Sequence, residues 1–213
     1  MNLKHSNRKA SQLIVVITFF ACMLTGLQAQ AKISPEQAIE GAVQQLLDEF
    51  TQRRAELRGN KSALYDMVDE FTRPHFDFDK ISKLVLAKNW KQASEEQRLA
   101  FGEEFRTLLI RTYATALFQY TGKETMEFTS SAIKERKGVM SATVESEVTL
   151  SEGPGIPVKY SMILGKDDNW KIYNMTIAGV NMVTSYRKTY GASIRSLGLD
   201  GLIESMREAN SQI

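Results

Sequence analysis

From Ser94 to Tyr120 apolar side chains recur every three or four residues: Phe101, Phe105, Leu108, Leu109, Tyr113, Ala116, Leu117 and Tyr120. That spacing is one face of an α-helix. Ser94, with Gln97 three residues on and Glu95–Glu96 between them, is a helix-start signature. Leu99 and Ile110 fall on roughly the opposite side and Phe118 between, so the pattern predicts a buried helix with neighbours on both flanks. Upstream, Ser34-Pro35 opens an amphipathic stretch, Ile33–Arg58, with Ile39, Val43, Leu46, Leu47 and Phe50 on one stripe. A second helix over Ser62–Thr72 turns Leu64, Met67, Val68 and Phe71 inward and is expected to stop at Pro74. A third, Phe78–Leu86, buries Ile81, Leu84 and Val85, with Trp90 behind it.

Past Gly122 the period changes from 3.6 to 2. Met140, Ala142, Val144, Ser146, Val148 and Leu150 alternate with polar residues, as do Ile156, Val158, Tyr160, Met162 and Leu164. These are strands with one apolar face, joined through Gly153-Pro154-Gly155. Thr125–Ser131 is a weaker strand before them, and Trp170–Ile177 follows the Lys166–Asn169 turn. Short connections imply an antiparallel sheet. From Gly179 the helical period returns with Met182, Val183, Tyr186 and Tyr190, and a last helix is expected over Leu199–Ala209. Helices, a strongly curved antiparallel sheet and closing helices make a single α+β domain over 32–213, with helices on one face of the sheet.

The first 31 residues stand outside this fold. Lys4, Arg8 and Lys9 precede the apolar run Leu13–Leu24, and Ala29-Gln30-Ala31 fits a cleavage site, so 1–31 reads as a cleaved signal peptide. The run is shorter than the roughly 20 residues of a membrane span. Cys22 is poorly flanked for lipidation, with Phe19 and Phe20 before it and Met23 and Leu24 after. Three of the 27 basic side chains lie in this segment, which leaves 24 against 25 acidic ones and a net charge near −1. The chain's apparent basicity belongs to the leader, and nothing points to nucleic acid. Cys22 is the only cysteine, so the mature domain must hold by burial alone, as suits a bacterial periplasm.

Catalytic patterns are thin. His75 is the one histidine of the mature chain, and no Gly-x-Ser-x-Gly occurs. His75, Asp77 and Asp79 alternate after Pro74 and offer either a weak metal corner or a loop in which Asp77 or Asp79 caps the next helix. Glu103–Glu104 belongs to a polar helix side and Asp167–Asp168 to a turn. No metal or cofactor site is expected, nor an enzyme. Met126, Met140, Met162, Met175 and Met182, with Tyr113, Tyr120, Tyr160 and Trp170, suit either an ordinary core or the adaptable wall of a greasy pocket. Periodicity does not separate the two.

Phe76-Asp77-Phe78-Asp79-Lys80-Ile81, Leu86–Trp90, Leu108–Ala114, Ile156–Tyr160, Trp170–Asn174 and Gly179–Arg187 occur in an order that resembles the MlaC, or toluene-tolerance, family. Ala87, Asn174 and Asn181 depart from it, standing where glycine, aspartate and serine are expected. The resemblance implies an NTF2-like fold whose sheet and helices enclose a hydrophobic pocket for phospholipid acyl chains, the headgroup staying outside. It implies traffic between an outer-membrane lipoprotein–porin complex and an inner-membrane ABC transporter with an MCE-domain subunit, which maintains outer-membrane lipid asymmetry. The expected pocket lining is Phe105, Leu109, Tyr113, Val144, Val148, Val158, Tyr160, Met162, Trp170, Met182 and Val183. A periplasmic chaperone or adaptor that binds apolar protein segments is the alternative.

Overall fold

A computed structural model describes residues 33–150 and 153–211; the signal-peptide segment lies outside them. Helix α1 (Pro35–Leu57) begins at a capping box in which the Ser34 hydroxyl accepts the Gln37 N–H and the Gln37 side chain accepts that of Ser34. Its apolar stripe does two jobs. Ile39, near the start, packs on the sheet, whereas Phe50 and Leu57 pack among the helices. Helix α2 (Lys61–His75) runs three residues past the expected end at Thr72 and through Pro74, because a proline near a helix end forfeits only one N–H; Phe76 still donates to the Thr72 carbonyl at 3.0 Å. Helix α3 (Phe78–Leu86) is capped by Asp77, and a 3-10 turn, Ala87–Lys91, leads to the central helix.

That helix, α4 (Glu95–Tyr113), opens on the Ser94–Gln97 capping box and tightens into a 3-10 turn over Ala114–Gln119 instead of continuing to Tyr120. The carbonyls freed there are taken by Arg54, which donates to Phe118 and Tyr120 at 2.8 and 2.9 Å. Phe101 and Phe105 are buried on one flank and Ile110 on the other, but Leu99 is 62% exposed. Arg106 takes up interior space instead. It is buried between Asp69 of α2 and Glu103, and the pairs it makes neutralise its charge.

Strands β1 (Thr125–Arg136), β2 (Val139–Thr149), β3 (Ile156–Leu164), β4 (Trp170–Ile177) and β5 (Val180–Asn181) form an antiparallel sheet in sequence order. Two bulges bend it. One falls between Phe128 and Ser130 of β1. In the other, Met162 pairs with Ile172 while Ser161 pairs with Asn174, so Tyr173 is an extra residue in β4. Helix α5 (Met182–Ser211) is broken by Gly198 at φ 74°, which accounts for the separate last helix expected from the pattern.

The three departures from the family pattern each have a structural role. Ala87 sits at φ 51°, ψ −113°, a conformation natural to glycine. Asn174 and Asn181 cap α5: their side chains accept the backbone N–H groups of Val183 and Thr184 at 3.2 and 2.9 Å. Neutral amide oxygens there do the work of the expected aspartate and serine.

Burial divides into three clusters. One joins α3, α4 and α5 around Phe101, Phe105 and Tyr190. A second lies on the inner face of β2–β4, and a third joins α1, α2 and α4 around Phe50, Leu64 and Ile110.

Candidate functional site

A cavity of about 370 Å³ lies where the three clusters fail to meet. Val68 and Thr72 of α2 and Leu46 of α1 form one side. Phe76, Phe78, Ile81 and Val85 line it from α3 and the loop before it. The central helix contributes Phe105, Leu109, Ile110 and Tyr113, and the 3-10 turn adds Ala114 and Leu117. From the sheet come Ile172 through Met175 and Ile177, and Met182, Val183 and Tyr186 of α5 close the ring. No charged side chain is among these.

The few polar groups in the wall are mostly engaged. The Thr72 hydroxyl donates to the Asp69 carbonyl at 3.2 Å, and Asn174 is committed to Val183. The Tyr173 ring lies under the Lys80 ammonium, 4.4 Å from its centroid. Burial first, and the nearby Tyr113 second, push the Tyr186 phenol above its ordinary pKa. Tyr113 is 49% exposed, which marks the solvent end of the cavity.

Of the eleven residues expected from the sequence, Phe105, Leu109, Tyr113, Met182 and Val183 stand on this wall. Val144, Val158, Tyr160, Met162 and Trp170 pack instead in the sheet cluster, with Val148 against it. The cause is α1: Ala38 and Ile39 pack into the sheet cluster, and the Trp170 indole is tied down by donating to the Ile33 carbonyl at 3.1 Å. Of the strands only β4, around its bulge, contributes to the cavity wall.

Sequence reasoning passed over Phe76, Phe78, Ile81, Val85 and Tyr186 as lining, although it read Ile81 and Val85 as buried. The i, i+4 spacing of those two was the available signal, and it says inward without saying toward a void.

The His75–Asp79 stretch is occupied otherwise. The Asp77 carboxylate accepts the Lys80 N–H at 2.9 Å as the cap of α3, and burial lowers the basicity of His75. Among the described residues no three His, Cys, Asp or Glu side chains come together to hold a metal, and no helix is long and apolar enough to cross a membrane.

An apolar cavity between a bent antiparallel sheet and a helix layer is an architecture seen before. The family model described as MlaC protein matches residues 40–208. The chain belongs to the MlaC family. Among MlaC relatives, the toluene tolerance protein ttg2D of Pseudomonas putida is 26% identical over 190 residues, covering 88% of this chain and 83% of its own. The intermembrane phospholipid transport system binding protein MlaC of Haemophilus influenzae is 24% identical, with 100% and 97% covered. A phospholipid-binding protein from Ralstonia solanacearum, solved in complex with a phospholipid, superposes with a TM-score of 0.71. It is 25% identical over 82% of this chain and 96% of its own.

Proposed function

We propose that this chain is a periplasmic phospholipid carrier, exported by a cleavable leader, that moves lipid between the outer and inner membranes. The apolar cavity carries the reading. Two acyl chains hold about 30 methylenes, and exposing them to water at about 0.8 kcal/mol each costs on the order of 25 kcal/mol. A carrier has to replace that hydration penalty with protein contact over most of the chain length. A wall built from five helices and β4, without a charged side chain, does so where a surface groove would not.

Membership of the MlaC family and a relative solved with a phospholipid support the ligand class. The headgroup belongs outside, beyond half-exposed Tyr113, so selectivity for it is weak. Phe105, Leu109, Tyr113, Met182 and Val183 are the primary acyl contacts. Val144, Val148, Val158, Tyr160, Met162 and Trp170 meet lipid only if the sheet cluster parts to admit more chain. The partners in this reading are an outer-membrane lipoprotein–porin complex and an inner-membrane ABC transporter with an MCE-domain subunit. In this reading the chemistry is binding and release of lipid.

Native mass spectrometry of the mature protein purified from periplasm, followed by organic extraction, tests the proposal. Adducts at phospholipid masses that disappear on extraction are expected. A clean apo mass that persists after mixing with liposomes, together with capture of unfolded polypeptide, would replace the carrier by the chaperone or adaptor.

A further inference from the structure

The mature chain is close to neutral, but its charges are not evenly mixed. Residues 80–94 carry four lysines and residues 169–199 four Lys or Arg, with no Asp or Glu in either stretch. Eight of the 24 basic side chains of residues 32–213 thus stand apart from all 25 acidic ones, which leaves 16 against 25 elsewhere. The two stretches meet in the fold. α3 and the first half of α5 pack together around Ile81, Val85, Val183 and Tyr190, and the Arg187 guanidinium donates to the Leu84 carbonyl at 2.8 Å. Lys83 and Lys88 are exposed on either side of Leu84 in the chain, and Lys188 is exposed beside Arg187. The Arg195 guanidinium reaches back along α5 to within 3.7 Å of where a side chain on Gly191 would begin, on the helical face that carries Arg187. The Lys80 ammonium rests on the Tyr173 ring of β4. Among the described residues none of these six cations has a carboxylate within ion-pair distance. Like charges gathered without counter-charges repel, so the arrangement does not serve the fold.

We infer that this α3–α5 face docks the protein on an anionic phospholipid bilayer. The inference goes beyond the carrier reading and rests on it only for what the contact achieves. The same two helices supply Ile81, Val85, Met182, Val183 and Tyr186 to the cavity wall, so docking by this face brings the cavity to the surface from which lipid comes. The composition suits a diffuse charged plane better than a protein partner. Lysines, which protein interfaces disfavour, supply most of the charge, and the exposed apolar side chains Val180 and Leu197 stand singly before and after the first half of α5 instead of forming an aromatic centre. Each Lys or Arg held near an anionic bilayer strengthens attachment about fivefold, and the attraction fades within a Debye length, so a carrier can also leave. The acidic excess on the rest of the chain turns this face, and not another, toward the membrane.

The test is cosedimentation of the mature protein with vesicles of phosphatidylcholine alone and of phosphatidylcholine and phosphatidylglycerol in equal parts. The wild type is expected to bind the mixed vesicles at low salt, to ignore phosphatidylcholine, and to be released at about 1 M salt, where the Debye length is about 3 Å. Lys83→Gln/Lys188→Gln removes two exposed cations and should weaken attachment about 10- to 30-fold. Lys134→Gln/Arg136→Gln makes the same change of net charge on β1, at the far edge of the sheet, and should leave attachment unchanged. Melting curves and extracted phospholipid should match across the three proteins; if the first pair melts early, Lys83→Gln and Lys188→Gln are read singly, at about fivefold each. Equal weakening by the two pairs would mean that net charge alone acts and would overturn the docking face. Failure of the wild type to bind bare anionic vesicles would overturn it too, and would assign the face to an acidic protein partner. Protein that never holds phospholipid refutes the carrier, a result read separately from vesicle binding.

Discussion

The Asp77 backbone N–H donates to the Ile172 carbonyl at 2.9 Å and hooks the loop before α3 onto β4, where Phe76 bridges Ile172 in parallel. Phe76 and Ile172 both stand on the cavity wall, and the hook falls one residue before the Tyr173 bulge. The His75–Asp79 stretch, which the sequence offered as a weak metal corner, is thus the clasp between helix layer and sheet at the edge of the binding space.

Asp77→Ala should loosen the clasp from the helix side. It removes the oxygen that accepts the Lys80 N–H, an N-cap contribution of about 1 kcal/mol, and should lower the melting temperature by about 2–4 °C. Asp77→Ser, which keeps a capping oxygen, should recover most of the loss. Calorimetry of the three proteins reads both effects, and an undiminished Tm in Asp77→Ala would remove the cap from the account.

Cavity wall and sheet core should respond differently to substitution. Met162 is 1% exposed among packed neighbours, so Met162→Ala should cost about 2–5 kcal/mol in urea unfolding. Leu109 faces open volume, so Leu109→Trp fills space and should shift stability by less than about 1.5 kcal/mol while sharply reducing copurified lipid. Equal behaviour of the two variants in both assays would contradict the division drawn between the sheet cluster and the cavity.

Ala87 holds a glycine-like conformation at the end of α3. Ala87→Gly should relieve strain worth about 1 kcal/mol net of the extra freedom gained by the unfolded chain, raising Tm by about 2–4 °C. A Tm that falls on this change would mean the turn is not strained by its Cβ.

Burial lowers the pKa of His75 from the ordinary value of 6.5. Below 6.5 the unfolded chain then binds the proton more readily than the folded one, so stability falls as pH drops from 6.5 through the folded-state value and is unaffected by this group above 6.5. Unfolding curves between pH 7.5 and 5 should show that slope, and His75→Gln should flatten it. An identical slope in the variant would assign the acid sensitivity to other groups.

Local order was written into the chain and needed no tertiary help to be read. The Ser34–Gln37 and Ser94–Gln97 capping boxes, the 3.6-residue stripes and the two-residue alternation of β2 and β3 are interactions between near neighbours, and the helices and strands appeared where those signals lay. So did the α+β order and most of the inward set of side chains, with Val43 and Leu150 exposed instead. What remained open was where each inward side chain ends up, because periodicity assigns a face and not a neighbour. Val144 and Leu109 carry the same signal, yet one is sealed beneath Ile39 and the other fronts empty volume. The start of α1 packs on β1 and β2, and one extra residue at Tyr173 bends β4. Contacts between positions a hundred residues apart therefore decided that the cavity opens between β4 and the helices. The packing of α2 against α4 likewise placed Arg106, paired with Asp69, in the interior, while Leu99 stays in water. Burial depends on which surfaces meet across the fold, and that is settled by packing, not by any local run of residues.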